Sequence, residues 1–504
     1  MSPGGISMRL TLSQALFASA AFSLLAPSAA GAQAGTDDPA WSIEKPRQTR
    51  IGPGYSQDLI EVKFRNADRT APGEAGWTSR RSGALPGLDA LTAADGPVSR
   101  VTPLFSADVL HDTSDRVDLP ALGQWYRMQL KPGQDAAVII DLLNGMDAVE
   151  IAYAASVPAP PPSAAPAPAT AQWASPLFLE RQGYALAAAS GIDAVHARTV
   201  PGGDGTGIRV VDIEYSWNWQ HEDLTKLRVP GTWIRQGASI SDPFNDNNHG
   251  TSVLGEMIAD DNGFGVRGLV SGATPHYVNV TSPQTGYNAA NAVALAAARL
   301  GRGDVILIEQ QFPGPAPCNG YVAPEWIPSI YDAVVSAVRR GIHVVETAGN
   351  GNVNLDAGCF GPGFPRGRPD SGAILAGAGG AAATPWCRDA VVPRSRLGFS
   401  THGRRVNLQG WGGCVATTGG RDLYNGGPNA GYTQRFNGTS SAGPIVASAV
   451  AAVSGAAKAR GKTLTPLQMR SLLVETGTPQ VGNNGHIGPL PNLRAALDRL
   501  AGMP

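Results

Sequence analysis

Residues 436–444 read FNGTSSAGP and lead directly into an apolar segment, residues 445–453. Small residues there allow close packing on several sides, so the segment is predicted to be a buried helix. Ser440 would then lie at a helix N-terminus, where backbone N–H groups without intrahelical partners favour negative charge. Ser440 is either a nucleophile or an ordinary N-cap residue. The choice depends on whether a base, an orienting acid and an oxyanion donor occur elsewhere.

The composition favours an exported protein. The 504 residues allow roughly one to three domains, and a net charge of −1 gives no indication of nucleic-acid binding. Residues 1–34 have the basic start, apolar run and small residues of a secretory signal peptide, so we expect a secreted or periplasmic protein. An N-terminal membrane anchor is the alternative. No later segment is long and apolar enough to cross a bilayer, so the mature protein is expected to have no membrane span.

The cysteines fit this location. Cys318, Cys359, Cys387 and Cys414 suit an exported protein with up to two disulfides, and the sequence allows three pairings. No CxxC pair or His/Cys cluster indicates a zinc site.

Residues 35–156 are predicted to form a small α+β unit. Alternation predicts strands at residues 58–64, 125–130 and 148–153, and helical spacing predicts a helix at 135–144. Residues 157–171 read VPAPPPSAAPAPATA, which predicts an extended, semi-rigid linker. This linker is the clearest domain boundary in the chain.

In residues 172–504, apolar strands alternate with helices. The predicted strands are 208–213, 277–280, 304–308, 342–346 and 374–378, and the predicted helices are 250–259, 289–300 and 330–340. This alternation favours an α/β fold, with a mostly parallel sheet covered by helices on both faces. Sites in such sheets collect at the carboxyl ends of the strands, where Asp212 and the turn at residues 348–350 are expected.

Three residues could complete a catalytic group with Ser440. His249 begins a predicted helix, Asp212 lies near a strand end, and Asn350 lies in a turn. Each has an ordinary alternative: a capping histidine, a loop carboxylate, a plain turn. Together they would supply the base, the orienting acid and the oxyanion donor that a serine nucleophile needs.

The order of Asp212, His249 in HGT, Asn350 in AGN and Ser440 in GTSSA resembles the subtilisin-like serine peptidases, the subtilase family. The similarity spans about residues 182–455 and includes residues 205–208, 221–224, 265–273 and 397–400. By this resemblance Ser440 would be the nucleophile, His249 the general base and then acid, and Asp212 its orienter. Asn350 and the Ser440 backbone N–H would hold the oxyanion.

The resemblance implies hydrolysis of polypeptide substrates through an acyl-enzyme, without a cofactor for the chemistry. It also implies that the N-terminal unit is a propeptide-like domain that assists folding and acts as an intramolecular inhibitor, and that the enzyme is a monomer. Structural calcium is common in the family. The acids available to bind it here are scattered, and the sequence assigns no calcium site; they are Asp242, Asp246, Asp260 and Asp261.

Two segments depart from the family pattern. Ile213-Glu214 stands where the family usually has Ser/Thr-Gly, and Glu309-Gln310-Gln311 stands where it has Ser-Leu-Gly beside the P1 side chain. Glu309 would then face the specificity pocket, which predicts some preference for Lys or Arg at P1. The alternative is that Glu309 points to solvent or pairs locally.

The resemblance also bears on the disulfides. The strands before Cys318 and Cys359 should be neighbours in this fold, and each cysteine lies nine residues after a motif position, Glu309 or Asn350. We therefore expect Cys318–Cys359 and, by remainder, Cys387–Cys414.

Retention of all four chemical roles favours a secreted endopeptidase made as a zymogen. A catalytically silent subtilase-fold binding or scaffolding protein is the alternative that the two departures allow. An esterase is disfavoured, because Ala442 occupies the last position of a Gly-x-Ser-x-Gly pattern.

Overall fold

The computed structural model describes residues 43, 45–46, 48–113, 119–162, 170, 174–387 and 391–503. The predicted signal peptide lies outside these residues, as does most of the second half of the predicted linker.

The N-terminal unit is built on a four-stranded antiparallel sheet whose alternating residues are buried on both faces. Ile60, Val62 and Phe64 pack against the unit's own helices, and Glu61 and Lys63 point to the opposite face, as the period of two requires. Its elements are β1 (Tyr55–Phe64), β2 (Ala71–Gly73), β3 (Gly76–Ser79), β4 (Gly83–Ala84), α1 (Pro86–Thr92), β5 (Val98–Pro103), α2 (Ala107–Thr113), β6 (Trp125–Leu130), α3 (Ala136–Asn144) and β7 (Val149–Ser156), with the four-stranded order β5-β6-β1-β7. The expected α+β character of this region is confirmed.

A six-stranded parallel sheet organises the larger region. Its order is β17-β16-β15-β12-β8-β9. The elements up to the middle of the sheet are α4 (Ala194–Ala197), β8 (Arg209–Glu214), α5 (Asn248–Ile258), β9 (Thr274–Asn279), β10 (Thr281–Ser282), β11 (Gly286–Tyr287), α6 (Ala289–Arg299), β12 (Val305–Ile308), β13 (Phe312–Pro313), β14 (Tyr321–Val322) and α7 (Pro328–Arg339). The remaining elements are β15 (His343–Thr347), β16 (Ile374–Gly379), β17 (Leu408–Trp411), β18 (Val415–Thr418), β19 (Tyr424–Asn425), β20 (Gly431–Phe436), α8 (Thr439–Ala459), α9 (Pro466–Thr476) and α10 (Leu493–Ala501).

Helices cover both faces of this sheet, which explains why its strands are continuously apolar. Leu307 and Val345 join the core that contains α5 and α8, and Ile306 and Val344 join the core that contains α6 and α7. The predicted α/β architecture is therefore confirmed.

Helix α8 crosses the centre of the fold and begins immediately after Gly438. Gly438 has φ +91°, a conformation that favours glycine, and this turn brings the helix N-terminus to the sheet's carboxyl edge. Among the described residues, α8 is the one helix long and apolar enough to span a membrane by length and composition, and its apolar window is fully buried inside the fold.

Two disulfides close the loops beside this edge. Cys318 is bonded to Cys359, with Cα atoms 6.1 Å apart, and Cys387 is bonded to Cys414, with Cα atoms 5.5 Å apart. The predicted pairing is confirmed.

Candidate active site

Three neighbouring strands end beside one another and bring the site residues together. In the sheet, Ile308 of β12 pairs with Ile213 of β8 on one side and with Glu346 of β15 on the other. Glu214, Glu309 and the turn containing Asn350 therefore follow at the same edge. Helices α5 and α8 begin there and supply His249 and Ser440.

The imidazole of His249 contacts Glu214 instead of Asp212. His249 Nδ1 lies 2.5 Å from Glu214 Oε2, and both side chains are buried. Burial alone would lower the pKa of His249, but the Glu214 carboxylate outweighs it and the pKa is raised. The sequence-based prediction that Asp212 makes this contact is thus corrected: Glu214 holds the imidazole.

Asp212 lies two residues before Glu214 on the same strand, β8. Its Oδ2 accepts a hydrogen bond from Trp217 Nε1 at 2.7 Å, and its Oδ1 has no partner. Burial and the nearby Glu214 raise the pKa of Asp212 well above its usual range. Strand β8 runs two residues beyond Asp212 and ends at Glu214, so the side chain at the strand end is the glutamate. The position of the strand end was the signal that could have identified it.

The two adjacent serines have different environments. Ser441 Oγ donates to the Trp411 carbonyl at 2.8 Å and is fully buried. Ser440 lines a small cavity together with His249 and Glu214. His249 Nε2 has no hydrogen-bond partner, so it is not bonded to Ser440 in this state. Catalytic hydrogen bonds are often long before substrate binds, and the shared cavity leaves Nε2 available to the hydroxyl.

Asn350 is oriented by the first residue of α8. Its Oδ1 accepts hydrogen bonds from the Thr439 backbone N–H at 2.8 Å and from Thr439 Oγ1 at 3.1 Å. This arrangement uses the acceptor end of the amide and leaves the Nδ2 donor group for another oxygen. The backbone N–H of Asn350 donates to Gln311 Oε1 at 2.9 Å, which fixes the turn.

Glu309 lies inside the cavity and does not point to solvent. It is 5% exposed, and neither carboxyl oxygen has a hydrogen-bond partner of normal geometry, although the Ser440 hydroxyl lies nearby. Burial, followed by the charges of Asp212 and Glu214, raises the pKa of Glu309 well above its usual range. Glu309 therefore does not point to solvent in this structure, and its effect on P1 preference stays a prediction.

The segment that follows β7 forms part of the cavity wall. Residues 159–162 line it together with Ser440 and His249. The Tyr215 hydroxyl donates to the Ala159 carbonyl at 3.0 Å and accepts from the Ala159 backbone N–H at 3.1 Å. The ring of Pro162 lies close to Gly438, since a Cβ built on Gly438 would be 3.3 Å from Pro162 Cγ. Sequence analysis did not identify Tyr215 as a site residue.

The four aspartates considered for calcium binding have partners within the protein in this structure. Asp242 Oδ2 accepts from Ser216 Oγ, Asp246 Oδ1 from the Asn248 backbone, and Asp260 Oδ2 from Thr225, while Asp261 pairs with Arg267. Within the described part of the chain, no group of three or more His, Cys, Asp or Glu residues is arranged to hold a metal ion.

Known proteins resemble this chain in sequence and in fold. The chain is 28% identical over 303 residues to Subtilisin BL of Lederbergia lenta, covering 60% of this chain and 94% of that relative. It is 28% identical over 299 residues to Alkaline elastase YaB of Bacillus sp. (strain YaB), covering 58% and 65%. Fervidolysin of Fervidobacterium pennivorans shares the fold, with TM-score 0.54 and 18% identity over 91% of this chain and 63% of that chain.

The sequence profile described as the subtilase family matches residues 218–489, more than half of the chain. The chain belongs to the subtilase family and is a serine-type endopeptidase.

Proposed function

We propose that this protein is an exported endopeptidase made as a zymogen, with a catalytic triad of Ser440, His249 and Glu214. The observation that carries the proposal is the buried pair of Glu214 and His249, which lines one cavity with Ser440. A carboxylate on Nδ1 fixes the tautomer that leaves Nε2 unprotonated and able to accept the serine proton.

The reaction follows from these positions. His249 Nε2 takes the proton from Ser440 Oγ as the oxygen attacks the scissile carbonyl carbon, and Glu214 stabilises the imidazolium that forms. The carbonyl oxygen becomes an anion, to which Asn350 Nδ2 and the Ser440 backbone N–H donate. The imidazolium then protonates the leaving amine, and water, activated by the same histidine, hydrolyses the acyl-enzyme.

The N-terminal unit is proposed to inhibit the enzyme before maturation, because its continuation lies in the cleft. Ala159 is held through both of its backbone polar groups by Tyr215, and residues 160–162 pass beside Ser440. Three consecutive prolines have no N–H group and a fixed φ, so this segment is stiff before it binds. Little conformational entropy is lost when such a segment fills a cleft.

A buried ionic contact fixes the N-terminal unit against the enzyme. Lys63 Nζ lies 3.0 Å from Asp332 Oδ2 on α7, and Trp125 Nε1 donates to the same carboxylate at 2.9 Å. Nearby, Ser329 Oγ donates to Glu61 Oε2 at 2.8 Å. These contacts orient the sheet of the N-terminal unit so that β7 leads into the cleft.

A serine-directed fluorophosphonate probe tests the assignment. The matured wild-type protein and its Ser441→Ala variant should label and digest casein, and Ser440→Ala should do neither. Ser441→Ala is the matched control, because that hydroxyl serves the fold by bonding to Trp411. Labelling that persists in Ser440→Ala and disappears in Ser441→Ala would reject the proposed nucleophile. Absence of labelling in the matured wild type would favour the silent binding protein.

A further inference from the structure

Glu309 is a buried acid that the proposed reaction does not use. It follows β12 directly, and its Oε1 lies against Gly443, one turn after Ser440 on α8, since a Cβ built on Gly443 would be 2.5 Å from that oxygen. The carboxyl group is therefore inserted under the first turn of the helix that carries the nucleophile.

Apart from His249, which lines the same cavity, the groups that face Glu309 are acidic or neutral. Asp212 and Glu214 approach from β8, and Glu256 from α5. Helix α8 contributes the Ser440 hydroxyl, and β15 contributes the uncharged Thr347. The described residues that line the cavity include no Lys or Arg.

Hydrogen bonding distinguishes the three carboxyl groups at the strand ends. Glu214 receives bonds from His249 and from the Tyr215 backbone N–H, and Asp212 receives one from Trp217. Glu309 has no donor of normal geometry for either oxygen. Burying an ionised carboxylate that no group donates to is unfavourable in free energy. Protonating Glu309 therefore lowers the charge of the three-acid cluster with the least loss of hydrogen bonding. Its raised pKa has the same cause, burial first and then the two neighbouring acids.

We propose that Glu309 is kept as a neutral carboxylic acid beside Ser440, and that its ionisation at higher pH switches off the nucleophile. Glu309 would thus be a positioning residue that sets the alkaline limit of the activity. The inference rests on the proposed function of Ser440. An ionised Glu309 would place a second negative charge beside the forming oxyanion, and it would also stabilise the imidazolium of His249 before the reaction, so the base would be less available.

The test compares kcat/KM as a function of pH for the matured wild type, Glu309→Gln and Glu256→Gln. Glu256 is the matched control: it is fully buried with both oxygens unpartnered, but it does not line the cavity. We expect wild type and Glu256→Gln to lose activity on the alkaline side by at least about tenfold, and Glu309→Gln to keep it. An alkaline limb that is the same in Glu309→Gln and wild type overturns the inference. Loss of activity at all pH values in folded Glu309→Gln does so as well, since it would mean that the acid itself is required.

Two further measurements separate the possible failures. Glu309→Leu also removes the ionisable group without burying an unpaired amide, and it replaces Glu309→Gln if that variant does not fold. The infrared band of a protonated carboxyl group, measured on the full-length Ser440→Ala protein with and without Glu309→Leu, reports the charge of Glu309 without catalysis. If this band is absent at neutral pH, the inference fails while the proposed function stands. If the band is present but the matured wild type does not react with a fluorophosphonate, the proposed function fails, and the catalytic role of Glu309 with it.

Discussion

Exchange of Glu214 for Gln tests which acid serves His249. The substitution keeps the size of the side chain but removes the charge that lies 2.5 Å from Nδ1. At an effective dielectric constant near 20, such a pair is worth about 4 kcal/mol at 4 Å, which corresponds to about a 10³-fold change in rate. An amide can also donate to Nδ1 and select the wrong tautomer, which costs about 10⁴-fold in a comparable triad. We therefore expect kcat to fall about 10³- to 10⁴-fold.

The assay is the initial rate of hydrolysis of a chromogenic peptide, normalised to fluorophosphonate-reactive sites, with circular dichroism to establish that each variant is folded. Asp212→Asn is the matched control, because an asparagine oxygen can still accept from Trp217 Nε1. Its effect should stay below about tenfold, the equivalent of about one hydrogen bond. If Asp212→Asn loses as much activity as we expect for Glu214→Gln, and Glu214→Gln retains most of its own, the assignment of Glu214 is refuted.

Four other predictions follow from described contacts. The acid limb of kcat/KM should lie at higher pH than for an ordinary histidine, because Glu214 raises the pKa of His249 and only neutral imidazole accepts the serine proton. Glu214→Gln should move this limb to lower pH, and an unchanged limb would contradict the prediction. Maturation should cut the Pro162–Ser163 bond, the first bond after Ala159 whose nitrogen is not that of a proline; N-terminal sequencing checks this, with uncut Ser440→Ala as control. Replacing Cys318 and Cys359 together by Ser should lower the free energy of unfolding by about 2–4 kcal/mol, measured by urea denaturation under non-reducing conditions. The preference for Lys or Arg at P1 should grow as Glu309 ionises, so the ratio of the residual rates for peptides differing only at P1 should change across the alkaline limb in wild type and stay constant in Glu309→Gln.

The sequence predicted the sheet because its strands are buried on both faces, and continuous apolar runs such as residues 304–308 are easily recognised. It assigned the wrong acid to His249 for a local reason. Asp212 and Glu214 have the same side-chain direction in β8, and the aspartate matched the residue type expected from the family. The pairing of Glu214 with Asn279 of β9 shows that the strand extends to Glu214, and only the side-chain geometry shows that this longer side chain reaches Nδ1.

Other features depended on contacts between distant parts of the chain. The composition of residues 157–171 predicted a stiff linker, but nothing in a proline-rich sequence indicates that residues 159–162 lie in the cleft. Nor does the sequence around Tyr215 indicate that its hydroxyl contacts Ala159, a residue more than fifty positions earlier. The short strands β2–β4 and β18–β20 were not predicted, because runs of two to six residues carry too little periodicity.

The charged junction between β1 and α7 has a consequence for what happens after the chain is cut. Lys63, Asp332 and Glu61 are buried there and have lost their hydration. Much of the attraction between Lys63 and Asp332, and of the hydrogen bond from Ser329 to Glu61, only compensates for that loss. Once the covalent tether is broken, water can solvate both separated surfaces again, and this rehydration favours departure of the N-terminal unit. The junction thus combines apolar packing with ion pairs, and its ionic part aligns the two parts during folding and still favours their separation afterwards.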